Sequence, residues 1–435
     1  MASTPTRREL LVLAAAGQGS ARAVRIGVAG VGSRGMSLLS VLVAMPGVAV
    51  PAVCDVNPAR TALAQDRLVK AGRPRPEAYN KDEYSWRDLV ARDDLDGVVI
   101  ATPWHWNGPV AIGAMKAGRH AAVEVPAALS IEECWELVNT SERTGRSCMM
   151  LENWSFRRDN LAVLNMIRAG LFGEIVHCHC AHSHNCVDHW FFDTQGNPRW
   201  SAEFLLKYNR DQYPTHSLGP VLSWMNIGCG DMFDSVVSMA TRALGPNMHF
   251  RAKFGDSHPY ANRAFAQGDI VTTLVKTKLG NTIVINYDMQ LPRPYDNRWM
   301  IQGTRGVYKE QTPAEASQIY LAGQTDNWPE FGGPGYEAFQ PFDPWRMKYD
   351  HEWWKGLDAN ADARRSGHGG TDWLTVAAFV ESVRAGRATP IDVYDSVLMS
   401  SIIPLSGLSI ARGSQPVPCP DFTRGKWRTR RPEFG

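Results

Sequence analysis

The chain has 435 residues, more than one average domain and enough for two or three. Lys plus Arg number 46 and Asp plus Glu 44, for a net charge of +2, so the basic surplus that a nucleic-acid partner requires is absent. Apolar residues make up 44% of the chain, enough for full cores, and no unbroken apolar run reaches the ~18 residues that argue for a membrane span. The 15 Trp and 12 Tyr fit a carbohydrate site, whose walls are commonly aromatic, but they equally fill cores.

The N-terminus carries Thr6-Arg7-Arg8-Glu9-Leu10-Leu11, a short apolar run over 10–16 and then Ala21-Arg22-Ala23. Paired Arg, an apolar segment and an A-x-A site resemble a twin-arginine signal over residues 1–23, so a periplasmic or secreted location is expected; the alternative is a cytoplasmic tail.

Residues 24–29, Val-Arg-Ile-Gly-Val-Ala, suit a buried parallel strand. Gly30, Gly32 and Gly35 follow with the spacing G-x-G-x-x-G, and 36–45 carries helix formers. Gly30 permits the tight turn, Gly32 lets a pyrophosphate approach the backbone, and Gly35 lets the helix sit close to the strand. Amides at the helix start would hold phosphates. A second apolar run, 48–54, ends in Asp55, 20 residues after Gly35. An acid there accepts hydrogen bonds from a ribose and repels a 2′-phosphate, so the cofactor is read as NAD rather than NADP.

Strands over 95–101, 120–125 and 147–151 alternate with helices over 109–117 and 131–144, which implies a parallel sheet with right-handed crossovers. Ligands of such sheets sit beyond the carboxyl ends of the strands, which gathers Ser33, Arg34, Asp55, Trp104, Glu124 and Asn153 around one crevice. The pattern then changes. A helix over 159–169 and a strand over 174–180 lead into 183–212, polar and aromatic with little period and read as a long functional loop. A helix over 214–227 follows, with Pro214 at its start. Hairpins are predicted at 269–278 with 282–289 and at 298–302 with 306–310, and an amphipathic helix at 371–385. The fold class is thus α/β. It comprises an N-terminal Rossmann domain over 24–153 and a C-terminal α+β domain over 154–435 with a mostly antiparallel open sheet.

The eight Cys form no C-x-x-C pair. Cys178, Cys180, His182, His184, Cys186 and His189 cluster in sequence, but 178, 180 and 182 alternate along a strand and the run matches no usual zinc spacing. The thiols are read as buried and free, and no metal is expected.

Seven motifs stand in order: Thr102-Pro103-Trp104-His105-Trp106, Val123-Glu124-Val125-Pro126-Ala127-Ala128, Met149-Met150-Leu151-Glu152-Asn153, Tyr213-Pro214-Thr215-His216, Arg293-Pro294-Tyr295, Gly367-His368-Gly369-Gly370 and Asp421-Phe422-Thr423-Arg424-Gly425. Together they resemble glycoside hydrolase family 109, the NAD-dependent α-N-acetylgalactosaminidases, within the glucose–fructose oxidoreductase and inositol dehydrogenase superfamily. Dehydrogenases of that superfamily carry Glu-Lys-Pro, whose Lys assists proton transfer; here the Lys position is Val125. The resemblance therefore implies a redox-neutral glycosidase. C3 of the sugar is transiently oxidised by NAD, the C2 proton and the aglycone leave, water adds, and the hydride returns.

By the same resemblance Pro103, Trp104, His105, Trp106, Glu124, Val125, Asn153 and Tyr213 contact the cofactor. His182, Ser201, Tyr213, Pro214, Thr215, His216 and Tyr295 contact the sugar. His368 is the expected acid/base at the glycosidic oxygen, because imidazole gives and takes protons near neutrality and flanking glycines let its loop fold over substrate. His216 or Tyr213 is expected to take the C3 hydroxyl proton in place of the missing Lys. His182 stands where the family usually has Tyr, Ser201 where it has Arg, and Asn107 where it has His, which bears on sugar specificity. A homo-oligomer is a further implication. The alternatives are a sugar dehydrogenase of the same superfamily and a non-catalytic sugar or NAD sensor.

Overall fold

The computed structural model describes residues 22–312, 316–323, 338–358 and 360–435. The proposed signal falls almost wholly outside the described residues. Two compact units emerge. The first holds the described residues up to Leu161 together with Asp350–Ser400 and Glu433–Gly435; the second holds Ala162–Tyr349 and Ser401–Pro432. Residues 350–400, read from sequence as part of the C-terminal domain, therefore pack with the N-terminal unit.

In the first unit six parallel strands, β1 (Val24–Ala29), β2 (Val48–Cys54), β3 (Glu77–Tyr79), β4 (Gly97–Ile100), β5 (His120–Val123) and β6 (Cys148–Met150), lie in the order β3-β2-β1-β4-β5-β6. β4 is buried at every position, as expected of a parallel strand covered on both faces. The helix Ile131–Thr144 shows how local sequence sets bounds: Ser130 caps its start by accepting from Glu133 N, and Gly145 closes it in the left-handed conformation. The helix Thr371–Ala385 has its expected bounds but is not amphipathic, since Thr371 to Ser382 are all buried. It covers the sheet closely enough that a Cβ on Gly97 of β4 would come 3.0 Å from the Phe379 ring.

The second unit is built on nine strands, β7 (Ile175–Ser183), β8 (Phe233–Ala240), β9 (Ile270–Thr277), β10 (Thr282–Asp288), β11 (Met300–Gly303), β12 (Gly306–Lys309), β13 (Gln318–Leu321), β14 (Gln340–Pro341) and β15 (Val417–Pro418), in the order β14-β13-β12-β11-β7-β10-β9-β8-β15. Every pairing among the described residues is antiparallel except β7 with β10. Both predicted hairpins are present. Residues 183–212, expected as a loop, contain a π-helical turn (Val187–Phe191) and a helix (Ala202–Lys207). Burial orders them: Cys186, Val187, Phe191, Phe192, Ala202 and Leu205 join Phe250, Phe265 and Tyr287 in one apolar cluster.

Among the described residues one helix, Val393–Ala411, is long and apolar enough to cross a membrane, although the sequence showed no unbroken run of that length. It is 67% buried in the protein, and its serines serve backbone amides as a core helix does. Ser396 and Ser400 accept from Met150 N and Ala127 N, and Ser406 and Ser409 from Asp211 N and Ser238 N. All eight Cys are free, and six of them are buried.

Candidate active site

At the end of β1, Gly30 turns at φ +83° and donates its N–H to Cys54 O at 2.8 Å. A Cβ on Gly30 would lie 2.4 Å from Ala101 O, and one on Gly35 only 1.9 Å from Gly30 O, so neither position admits a side chain. Gly32 differs: a Cβ there would meet nothing within 4 Å. It is also the N-cap of the helix Ser33–Ala44, whose first-turn amides, those of Ser33 and Arg34 among them, have no partner within the helix. Open space over the amides of a helix start is a cradle for a pyrophosphate.

Asp55, just past β2, accepts from Val31 N and Asn57 N, each at 2.9 Å, one on each oxygen. Each oxygen keeps accepting capacity for ribose hydroxyls. Asn153, 2% exposed, donates to Asp372 while its Oδ1 has no partner among the described residues, an orphaned acceptor suited to a ligand donor. These features fit a dinucleotide. Asp55→Asn is expected to weaken NAD binding about tenfold or more and to narrow the preference over NADP, as read by equilibrium binding of both cofactors.

The Glu124-Val125-Pro126 turn follows β5. Asn107 pins it, donating to Glu124 O at 3.1 Å and Pro126 O at 2.9 Å while accepting from Thr102 Oγ1. The Asn that departs from the family pattern thus holds the turn. Val125 is buried and the Val125–Pro126 bond is cis. The helix expected at 109–117 starts five residues earlier, at Trp104 with Pro103 as N-cap. Trp104 is buried, His105 is exposed, and Trp106 packs against Tyr84 and Trp86 at ring-centroid distances of 5.5 and 6.2 Å.

Arg34 is no simple cofactor contact. Its Nε donates to Glu124 at 2.7 Å, and Nη1 and Nη2 donate to Asp372 at 2.6 and 3.0 Å. His368 stands beside this pair, with Nδ1 at 3.2 and 3.1 Å from the two Asp372 oxygens and 3.5 Å from Arg34 Nη1. Burial opposes the Asp372 charge, but the His368 hydrogen bond and the Arg34 guanidinium more than offset it, holding the carboxyl well below the usual range. Burial likewise opposes the Arg34 charge and is outweighed by Glu124 and Asp372, so Arg34 stays protonated. His368 sits at φ +53°, followed by Gly369 at +66° and Gly370 at +104°, so the loop is a run of left-handed residues that glycine tolerates best. The ring meets Trp154 edge-on at 5.5 Å. With Nδ1 held by a carboxylate, Nε2 is left to exchange a proton.

In the second unit His182, 4% exposed, lies at the end of β7. Its ring centroid is 4.8 Å from Tyr213, 5.4 Å from His216 and 5.5 Å from Tyr295. Tyr213 OH and His216 Nε2 are 3.3 Å apart, a hydrogen-bonded pair at the start of the helix Pro214–Trp224. Burial, then His216 and His184, push His182 well below the usual imidazole value, so it is neutral at pH 7. Tyr295 donates to Asn297 at 2.9 Å. Arg293 bridges Asp288 and Asp296 at 2.8 and 2.7 Å and so fixes the loop that carries Tyr295. Pro214 and Thr215 are buried, and the Thr215 hydroxyl has no partner among the described residues.

Ser201 does not join this cluster of rings. It is 1% exposed, and its hydroxyl donates to Trp190 O. Two residues escaped the sequence reading, Asp372 and Trp154. The signal for Asp372 was present, four residues after His368 in the first turn of a helix. Trp154 had none beyond its place after Asn153.

Profiles of known families cover both units. "Oxidoreductase family, NAD-binding Rossmann fold" matches residues 24–152, and "Glycosyl hydrolase 109, C-terminal domain" matches residues 156–429. A glycosyl hydrolase family 109 protein of Shewanella baltica is 40% identical over 415 residues, covering 94% of this chain and 87% of its own. A protein of Shewanella oneidensis named alpha-N-acetylgalactosaminidase is 39% identical over 409 residues with the same coverage. Among solved structures, levoglucosan dehydrogenase in complex with NADH and L-sorbose has a TM-score of 0.71 at 19% identity, over 92% of this chain and 100% of its own. The apo scyllo-inositol dehydrogenase of Lactobacillus casei gives 0.61 at 15%, over 92% and 99%. At such identities these two establish the fold alone. The cofactor of the N-terminal unit is NAD.

Proposed function

The chain belongs to glycosyl hydrolase family 109, and we propose that it hydrolyses α-linked N-acetylgalactosaminides with tightly bound NAD and no net redox change. The observation that carries this reading is the pair formed by His368 and the buried Asp372 in the unit that holds the dinucleotide cradle. A dehydrogenase needs no oriented acid at a leaving group; a glycosidase does.

Bound NAD would supply reversible hydride transfer at C3 of the sugar, which acidifies the C2 proton, so that it is lost to solvent as the aglycone departs and regained from solvent when water adds. His368 gives its Nε2 proton to the departing glycosidic oxygen and later takes one from the water that adds. Asp372 holds the tautomer and steadies the imidazolium. The Tyr213–His216 pair takes the C3 hydroxyl proton, the task for which buried Val125 has no group. Neutral His182 and Tyr295 line the sugar. Export of the folded, NAD-loaded protein through the signal at 1–23 belongs to the same proposal.

The test follows a p-nitrophenyl α-N-acetylgalactosaminide in deuterium oxide. Expected are p-nitrophenol release, deuterium at C2 of the freed sugar, and a flat NADH absorbance throughout. NADH rising in proportion to substrate would make the protein a dehydrogenase, and product without C2 deuterium would remove the elimination route.

A further inference from the structure

Between β7 and the helix Ala202–Lys207 lies a group of side chains that the glycosidase reading does not use. His184, Cys186 and His189 each turn one ligand atom inward, and these atoms all lie within 4.8 Å of one another. His184 Nε2 is 3.2 Å from Cys186 Sγ and 3.2 Å from His182 Nε2. Tetrahedral zinc with Zn–N near 2.0–2.1 Å and Zn–S near 2.3 Å implies ligand–ligand edges of roughly 3.3–3.6 Å, so the His184–Cys186 pair already stands near that spacing and His189 has to close in from within 4.8 Å.

The fold supplies what the linear spacing lacks. His184 follows the end of β7, and Cys186 N is fixed on Met289 O at 2.9 Å. The π-helical turn Val187–Phe191 then wraps so that Trp190 N and Phe191 N both bond Cys186 O, which returns His189 to the face of Cys186. His189 Nδ1 lies 3.7 Å from the Asp188 carboxylate, itself paired with Lys253 at 3.3 Å. With Nε2 of His189 as the ligand atom, the Asp188 carboxylate would stand on the side of the other nitrogen, where a metal-bound imidazole usually finds its partner.

We propose that His184, Cys186 and His189 bind one Zn²⁺, with water in the fourth position. Two imidazoles and a thiolate, with no carboxylate among the ligand atoms, select zinc over magnesium or calcium. Binding replaces the thiol proton: Zn²⁺ and Cys186–SH give a zinc thiolate and one released proton, with no change in oxidation state. The ion would lock His184, whose ring packs on Tyr295 at 4.9 Å and on His182 at 4.9 Å, and so hold two residues of the proposed sugar wall.

The test uses untagged, NAD-loaded protein stripped with a chelator and titrated with zinc against a chromophoric competitor. One equivalent per chain is expected. Co²⁺ should give a thiolate-to-cobalt charge-transfer band that Cys186→Ser abolishes. His189 is exposed, its side chain 55% accessible, so His189→Ala should fold normally and bind zinc at least about tenfold more weakly. Less than half an equivalent retained after desalting, or affinity unchanged in both variants, would overturn the site. Glycosidase activity plays no part in this readout, so the outcome is independent of the proposed reaction.

Discussion

His368→Asn is expected to lower kcat on an alkyl N-acetylgalactosaminide by about a hundred- to ten-thousand-fold, the range of a lost general acid/base. Asn is the informative replacement. His368 sits at φ +53°, where Asn is among the few side chains tolerated, so the loop should keep its path. An Asn amide can still donate towards Asp372 but cannot pass a proton. The melting temperature and the NAD content should therefore stay close to wild type. On the p-nitrophenyl glycoside the loss should be smaller, because p-nitrophenolate departs without protonation. That contrast between leaving groups is what a proton donor predicts and a loosened loop does not. A loss below tenfold on the alkyl substrate, or equal losses on both, would remove His368 from its role.

The sequence was most legible where local chemistry decides. The strands Val24–Ala29 and Val48–Cys54 are mostly buried, largely apolar runs bounded by turn residues, and both keep their predicted bounds. Ile131–Thr144 carries its own start and stop, Ser130 and Gly145. The glycine spacing was legible because Gly30 and Gly35 each exclude a Cβ for a reason any such turn shares. Legibility failed where distant parts decide. Pro109 was read as a helix start, but Pro103 caps the helix and Pro109 lies inside it. The order within 183–212 comes from Phe250, Phe265 and Tyr287, which no window around that segment contains. Thr371–Ala385 is buried on every side of its first three turns because residues 350–400 return to the first unit, and a period cannot report a burial that surrounds the helix. The Arg34–Asp372 pair joins positions 338 apart, so His368 could be named from its motif but its orienting partner could not.

Asp372→Asn should be strongly destabilising to the first unit. The Asp372 side chain is fully buried and accepts from Arg34 Nη1 and Nη2, Asn153 Nδ2 and His368 Nδ1. Asn has nearly the same shape, so little packing is lost; what goes is the charge. Its new N–H₂ would face at least one of those donors, and Arg34 would be left with Glu124 alone. Breaking a buried pair by removing one partner costs about 3–5 kcal/mol, to be read as a lower urea midpoint for the transition that reports on this unit. The pH dependence distinguishes this cause from a packing defect. The Asp372 carboxyl is held below its unfolded value, so it contributes full stability above the ordinary carboxylate range and loses it progressively as pH falls from that range through the lowered folded value. Wild type should shed that contribution on acidification, while Asp372→Asn, already without it, should show a flatter acid limb. Activity should fall together with stability, since an imidazole without its carboxylate populates the wrong tautomer, and assays well below the variant's midpoint separate the two. An Asp372→Asn protein with a wild-type urea midpoint and an unchanged acid limb would mean that the charge at this position holds neither Arg34 nor His368.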